Sequence, residues 1–330
     1  MAFDRSLLHK VKKEKELLRA ENQRLLEQRT EEIHQTIPEI WNIDRKLRST
    51  ASAVVTAALA RNEDPEDAIR RLKTENLALQ QRRRDLLEQA GYPADYLTLP
   101  YACPLCKDTG YVEDKLCSCV KTRYSQYMAE ALSQVLPLQE ENFETFTLEY
   151  YSPVPDGRLP MSPRENMRHN LAFCKDYAVS FHPASKNLLL FGASGLGKTF
   201  LSSCIAKTVT ERGYFVCYDT AINLLDNFER CKFRDGGKLV SAGIDRYFDC
   251  DLLIIDDLGT ELTTSFTISA LYHLINSRIL QKKPMILNTN LSPADLEKRY
   301  SPAIASRING DFVLLRFFGD DIRLLKKNTK

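Results

Sequence analysis

Through the first ninety residues, apolar positions recur at helical spacing and charges of both signs fill the places between them. Leu7, Val11, Leu18 and Leu25 form one stripe. Ile40, Leu47 and Val54 form a second, with Ala51 and Ala58 between, and Ile69, Leu72, Leu79 and Leu86 form a third. Each stripe is one helix face at near-heptad spacing. The stretch lacks glycine, Pro38 suits a first turn, and Asp64-Pro65-Glu66-Asp67 supplies an N-cap, a proline at N1 and an acid at N3. The pattern predicts helices near 4–35, 38–62 and 65–90, packed as a hairpin or small bundle. A single long stripe must bury against something. A partner-binding or oligomerising arm is therefore expected over residues 1–95, against the alternative of a cap packed on its own chain. The basic run Arg82-Arg83-Arg84 reads as a solvated helix face.

Gly91-Tyr92-Pro93 and Pro100 break this regime. Residues 126–160 read as a linker, in which Phe143 and Phe146 either pack on the core or line a base pocket. From Ser162 the pattern changes again. Ser162-Pro163-Arg164-Glu165 starts a helix that should run to about Phe181. Short apolar runs at 188–191, 214–218, 251–257, 285–290 and 312–317 then alternate with helical stretches, including 221–233 and 267–281. Such alternation predicts an α/β domain over 161–330, a mainly parallel sheet with helices on both faces.

The junction of the first run with its helix carries chemistry. Gly192-Ala193-Ser194-Gly195-Leu196-Gly197-Lys198-Thr199, followed by Phe200, fits the phosphate-loop pattern at every fixed position. Its glycines let successive N–H groups turn toward phosphate oxygens, and the helix N-terminus adds its dipole. Lys198 should reach the β- and γ-phosphates of ATP, and the Thr199 hydroxyl should ligate Mg²⁺. Asp256, ending the run at 251–257, is placed to hold that Mg²⁺, and Asp257 to orient or deprotonate an attacking water. Glu261 is a weaker candidate for a supporting acid. Asn290, ending the run at 285–290, would polarise the water if its strand lies between those of the loop and of Asp256. Arg307 and Arg323 would stabilise charge on a transferring phosphoryl group, one of them at a neighbour's site; surface ion pairing is the competing reading. The aromatic and basic stretch Phe228–Lys238 suits either single-stranded nucleic acid or an ordinary helix end.

Cys103, Cys106, Cys117 and Cys119 fall in a C-x2-C-x10-C-x-C pattern. Two close pairs on a short ribbon converge four thiolates, for which Zn²⁺ is the default ion. A zinc module over 96–125 is expected, with an Fe–S cluster, or unliganded or redox thiols, as the alternatives. Cys174, Cys204, Cys217, Cys231 and Cys250 read as small apolar filler or free thiols. The chain has 330 residues, enough for two or three domains, and a net charge of only +2, so any nucleic-acid contact must be a local patch. Without a signal-type apolar segment or an 18-residue apolar run, a cytoplasmic protein with no membrane contact is expected.

Taken in order, GASGLGKT, LLIIDDLGTE, LNTNLS, SRI and GDDIR resemble bacterial replicative helicase loaders of the DnaC/DnaI type, relatives of the IstB-type transposition helpers, over about residues 140–325. The segment CPLCKDTG with CSC resembles the zinc-binding part of DnaI-type loaders, whereas the long helical arm is less familiar. The resemblance implies an AAA+ P-loop ATPase core with sheet order 5-1-4-3-2. It also implies Asn290 as first sensor, Arg307 as a finger offered to a neighbour and Arg323 as second sensor. The partners it implies are a hexameric replicative helicase, single-stranded DNA and, with ATP bound, further copies of the chain. A transposition helper acting on duplex DNA, or a nucleotide-gated adaptor with little turnover, are the alternatives.

Overall fold

The computed structural model describes residues 3–59, 65–134, 136, 140–155, 160–233 and 241–328. The chain divides into two compact units, one of Met1–Val11 with Ser118–Lys330 and one of Lys12–Cys117.

Three helices open the chain, α1 (Arg5–Thr36), α2 (Pro38–Leu59) and α3 (Pro65–Gln89). The side chains of Ala51, Val54 and Ala58 and the capping Asp64 lie outside the described residues. In the Lys12–Cys117 unit, Ile33, Ile40, Leu87 and Leu97 form a small core. Beside it the buried Asp44 lies 2.8 Å from His34 Nε2 and 3.3 Å from Arg83. Arg82 Nε donates to Glu39 at 2.9 Å. The basic run is thus a set of cross-helix ion pairs at Arg82 and Arg83 rather than a wholly solvated face. A two-stranded hairpin follows, β1 (Tyr111–Val112) paired antiparallel with β2 (Lys115–Leu116).

In the other unit, α4 (Ser118–Ser133) occupies a stretch in which the sequence suggested no element, and its second half opens the expected linker. Its buried residues Val120, Tyr124, Tyr127, Met128 and Leu132 follow a helical period. Helix α5 (Pro163–Ser180) begins with the expected capping box: Ser162 Oγ accepts from Glu165 N at 3.2 Å, and Glu165 Oε2 accepts from Ser162 N at 3.0 Å. Beyond it come β3 (Asn187–Phe191), α6 (Lys198–Glu211), β4 (Val216–Thr220), α7 (Ala221–Phe233), α8 (Ser241–Asp249) and β5 (Leu252–Leu258). The remaining elements are α9 (Ser265–Leu280), β6 (Met285–Thr289), α10 (Pro293–Arg299), α11 (Pro302–Asp311), β7 (Phe312–Arg316) and α12 (Ile322–Asn328).

The five strands β3–β7 form one parallel sheet in the order β4-β5-β6-β3-β7, which is 5-1-4-3-2 when only they are counted, from the β7 edge. This is the strand order expected for the core. Leu188–Leu190, Leu252–Ile255 and Met285–Leu287 are all buried, as continuous apolar strands covered on both faces must be. The parallel register then puts the C-terminal ends of β3, β5 and β6 side by side, where ligands of such sheets bind. Leu190 pairs with Asn288, and Ile255 with Leu287. The β5–β6 register slips between Ile255 and Leu258, and Asp257 sits there at φ 53°. An irregularity of this kind re-aims a side chain: Asp256 points inward and is buried, and Asp257 is exposed.

Candidate active site

The phosphate loop closes tightly because its glycines have no room for a Cβ. At Gly192 (φ 145°) a Cβ would lie 2.0 Å from Phe317 O, and at Gly195 (φ 77°) 2.0 Å from Asp321 Oδ1. Lys198 Nζ donates to Gly192 O and Ala193 O, each at 2.7 Å. Burial pulls its ammonium below the usual lysine range, while the carboxylates of Asp256 and Asp257 pull it back up.

Asp256 meets the loop from β5. Thr199 Oγ1 lies 3.3 Å from Asp256 Oδ1, which also accepts from Asn288 Nδ2 at 2.8 Å and from Asp257 N at 3.0 Å. The other oxygen, Oδ2, accepts from the Tyr218 hydroxyl of β4. Asn288 Nδ2 reaches Ser202 Oγ of α6 at 2.8 Å as well. Asp256 is therefore clamped by three strands and a helix. Tyr218 and Asn288 were invisible as site residues in the sequence, since only the sheet register brings them to this carboxylate, as was Ser202, which reaches it through Asn288. Burial, then the charge of Asp256, raises the phenol of Tyr218 far above its ordinary value and holds it as a donor.

Next to this clamp lies a cavity of about 390 Å³ lined by the loop from Ser194 to Phe200 and by Asp257, Thr260, Asn290 and Arg323. Burial and neighbouring Asp256 raise the Asp257 carboxyl above the usual range, against the pull of Lys198 and Arg323. Tyr151 Oη donates to Leu196 O at 3.0 Å under the loop, and Phe146 stacks on Tyr151 and edges against Phe200. Phe146 lines the cavity, whereas Phe143 packs against the core.

The structure brings together Lys198, Thr199, Asp256, Asp257, Asn290 and Arg323, but Arg307, on α11, is not among the cavity's lining residues. Glu261 is not a supporting acid of the cavity. Its carboxylate is buried, accepting from Gly259 N at 2.9 Å and from the Tyr300 hydroxyl, and so shapes the turn after β5. Phe228 is not a free stacking platform either, since it is buried against Tyr247 and Phe248; Arg234–Lys238 lie outside the described residues.

The second constellation is the cysteine knuckle. Sulfurs of Cys103, Cys106, Cys117 and Cys119 all lie within 4.8 Å of one another, and the first three are buried. Four converging thiols suit a soft tetrahedral ion such as Zn²⁺. Asp108, itself fully buried, accepts from Ala102 N at 2.8 Å and Cys103 N at 3.0 Å, and pairs with Lys15 of α1 at 3.1 Å. Cys174, Cys204, Cys217 and Cys250 are buried and Cys231 half-buried, outside that cluster. Among the described residues no helix is long and apolar enough to cross a membrane.

Residues 172–309 match the family described as IstB-like ATP binding protein. The chain is 26% identical over 245 residues to the phage-like element PBSX protein XkdC of Bacillus subtilis, covering 70% of this chain and 86% of that one. It is 21% identical over 160 residues to the replicative helicase loader DnaC of Escherichia coli K12, covering 48% of this chain and 65% of DnaC. A crystal structure of the DnaC helicase loader superposes with a TM-score of 0.44 at 21% identity, over 55% of this chain and 99% of that one.

Proposed function

We propose that this chain, an AAA+ protein with an IstB-like ATP-binding core over residues 172–309, hydrolyses ATP to ADP and phosphate in loading a replicative helicase onto DNA. The observation that carries the ATPase reading is the meeting of the Thr199 hydroxyl with a clamped Asp256 at 3.3 Å, at the mouth of the glycine loop. Thr199 and Asp256 would hold Mg²⁺, which supplies charge neutralisation on the phosphates when bound. Lys198 and the loop amides bind the β- and γ-phosphates. Asp257, freed from the sheet and turned to the cavity, takes the proton of the attacking water, and Asn290 orients that water. Arg323 stabilises charge on the phosphoryl group from the same chain. Arg307, on another helix, serves the site of a neighbouring copy in an ATP-bound oligomer.

Support for the loader role comes from the similarity to DnaC. The N-terminal helical arm, read over residues 1–95, and a zinc-bound knuckle would grip the helicase, and the core would contact single-stranded DNA. Cys103, Cys106, Cys117 and Cys119 would hold the zinc, cross-linking a segment too small to have a core of its own.

The test is a pull-down of a hexameric replicative helicase from the same cell by the full chain, with and without ATP, and after deletion of residues 1–120. Binding that survives the deletion would remove the arm from this role. In parallel, Lys198→Ala should lower ATP affinity by about 10- to 150-fold, the worth of a charge-assisted hydrogen bond. An unchanged affinity would end the nucleotide reading. The match to IstB-like proteins favours a transposition helper as the second reading. Retention of a transposase but not of the helicase would select it.

A further inference from the structure

Glu141 lines the nucleotide cavity but has no part in the chemistry above. Its Oε2 is buried and has no hydrogen-bond partner among the described residues. A buried carboxylate oxygen without a donor is costly, and native structures seldom keep one without a use. The turn that presents it is firmly built. Thr145 Oγ1 donates to Glu140 O at 2.6 Å, and Asn142 Oδ1 accepts from Glu144 N at 2.9 Å and Thr145 N at 3.0 Å. The same turn delivers Phe146, whose ring meets Phe200 edge-on at 5.3 Å. Glu141 and an aromatic wall thus enter the cavity together, while amides and cations line its phosphate-loop side.

Two other uses for that oxygen are excluded on physical grounds. A carboxylate repels phosphate oxygens, so it does not bind the triphosphate. Nor is it one of three or more converging acidic, histidine or cysteine ligands, since among the described residues only the four cysteines form such a group. The Ser203 hydroxyl serves the carboxylate, but Oε2 itself has no donor, and a nucleoside carries N–H and O–H groups on its base and its sugar.

We propose that Glu141 is a specificity-determining residue of the nucleotide site, its Oε2 accepting a hydrogen bond from an N–H or O–H of the nucleoside; this rests on the nucleotide reading above. Burial and the charge of Asp256 hold the Glu141 carboxyl above its usual range, against the pull of a hydrogen bond from Ser203 and of the Lys326 and Arg323 cations.

The experiment is calorimetric titration of the full chain and of Glu141→Ala and Glu141→Gln with four probes. These are ATP, 2′-deoxy-ATP, inosine triphosphate (a 6-oxo base) and inorganic tripolyphosphate, with thermal melts of each variant alongside. Glu141→Ala should weaken ATP about tenfold or more while leaving tripolyphosphate unchanged or tighter. In the wild type, the analogue lacking the contacted donor should bind like ATP to the alanine variant. Inosine triphosphate doing so would place the contact on the base, and 2′-deoxy-ATP on the sugar. Glu141→Gln, which keeps an acceptor of the same reach, should restore the discrimination. Unchanged ATP affinity in Glu141→Ala, a parallel loss for tripolyphosphate, or a wild type indifferent to both analogues would each overturn the assignment. A wild type that binds neither ATP nor tripolyphosphate would overturn the nucleotide reading itself, and this inference with it.

Discussion

The phosphate loop and the cysteine knuckle are both short, turn-rich segments that bring their own ligand atoms, yet they are held in place by different means. The loop hangs between β3 and α6, and its acidic partner Asp256 is fixed from Tyr218, Asn288 and Thr199, on two other strands and a helix. The knuckle relies on residues close in sequence, a hairpin of two two-residue strands, and the buried Asp108 tied to Lys15. A site framed by a sheet keeps its geometry through packing. A site framed by turns needs the bonds of an ion to do so.

Metal removal should break that symmetry most. Chelation of a zinc-loaded chain forfeits metal-binding free energy on the order of 10 kcal/mol. Hydrogen exchange should then lose protection across 103–119 while the amides of β3, β5 and β6 stay protected. Loss of protection in both regions would mean that the two are one cooperative unit.

Asp257→Asn comes next and separates function from stability within the sheet-framed site. Hydrolysis should fall by roughly 10² to 10⁴-fold, the range for a lost general base. The wild-type carboxyl is raised by burial and by Asp256. Its favourable contribution to folding is therefore present below the ordinary aspartate range and is lost as pH rises through its folded value. At neutral pH the asparagine variant should melt higher than the wild type, and the wild-type rate should fall on the acid side at a pH above the usual aspartate range. A variant that melts lower would contradict the direction of that shift.

Tyr218→Phe tests the clamp alone. It leaves Asp256 Oδ2 without its donor, a cost of about 1–3 kcal/mol. The Mg²⁺ concentration needed for half-maximal hydrolysis should rise about tenfold, with metal-free ATP affinity unchanged. A metal profile identical to the wild type would reduce Tyr218 to packing. The smallest effect is expected at Ser162→Ala, which belongs to neither site. Losing one half of the capping box costs about 1 kcal/mol, a drop of roughly 2–4 °C in the core's melting temperature by calorimetry.

How much of this was legible depended on the distance along the chain over which the physics acts. The loop's glycines, Lys198 and Thr199 announce themselves because turn conformation, helix dipole and phosphate contacts all lie within eight consecutive residues. The capping box of α5 and the cysteine spacing are equally local. Helix α4 carried a readable period, Val120 to Leu132, but the cysteines before it drew the reading toward a module and a linker. Glu261 was misread because an acid near Asp256 in sequence is turned, beyond the β5 irregularity, toward Tyr300 instead of the cavity.

By itself, then, the sequence determined most of the elements, the class of the core, the loop that cradles phosphate and the set of four thiols, since each follows from residue spacing within a turn, a strand or a helix. Only the tertiary structure decided which polar groups hold Asp256, that Asp257 faces outward, and that Glu141 enters the cavity beside Phe146. Those contacts join residues up to 57 positions apart in the chain, and parallel register and tight turns, which no single segment encodes, bring them together.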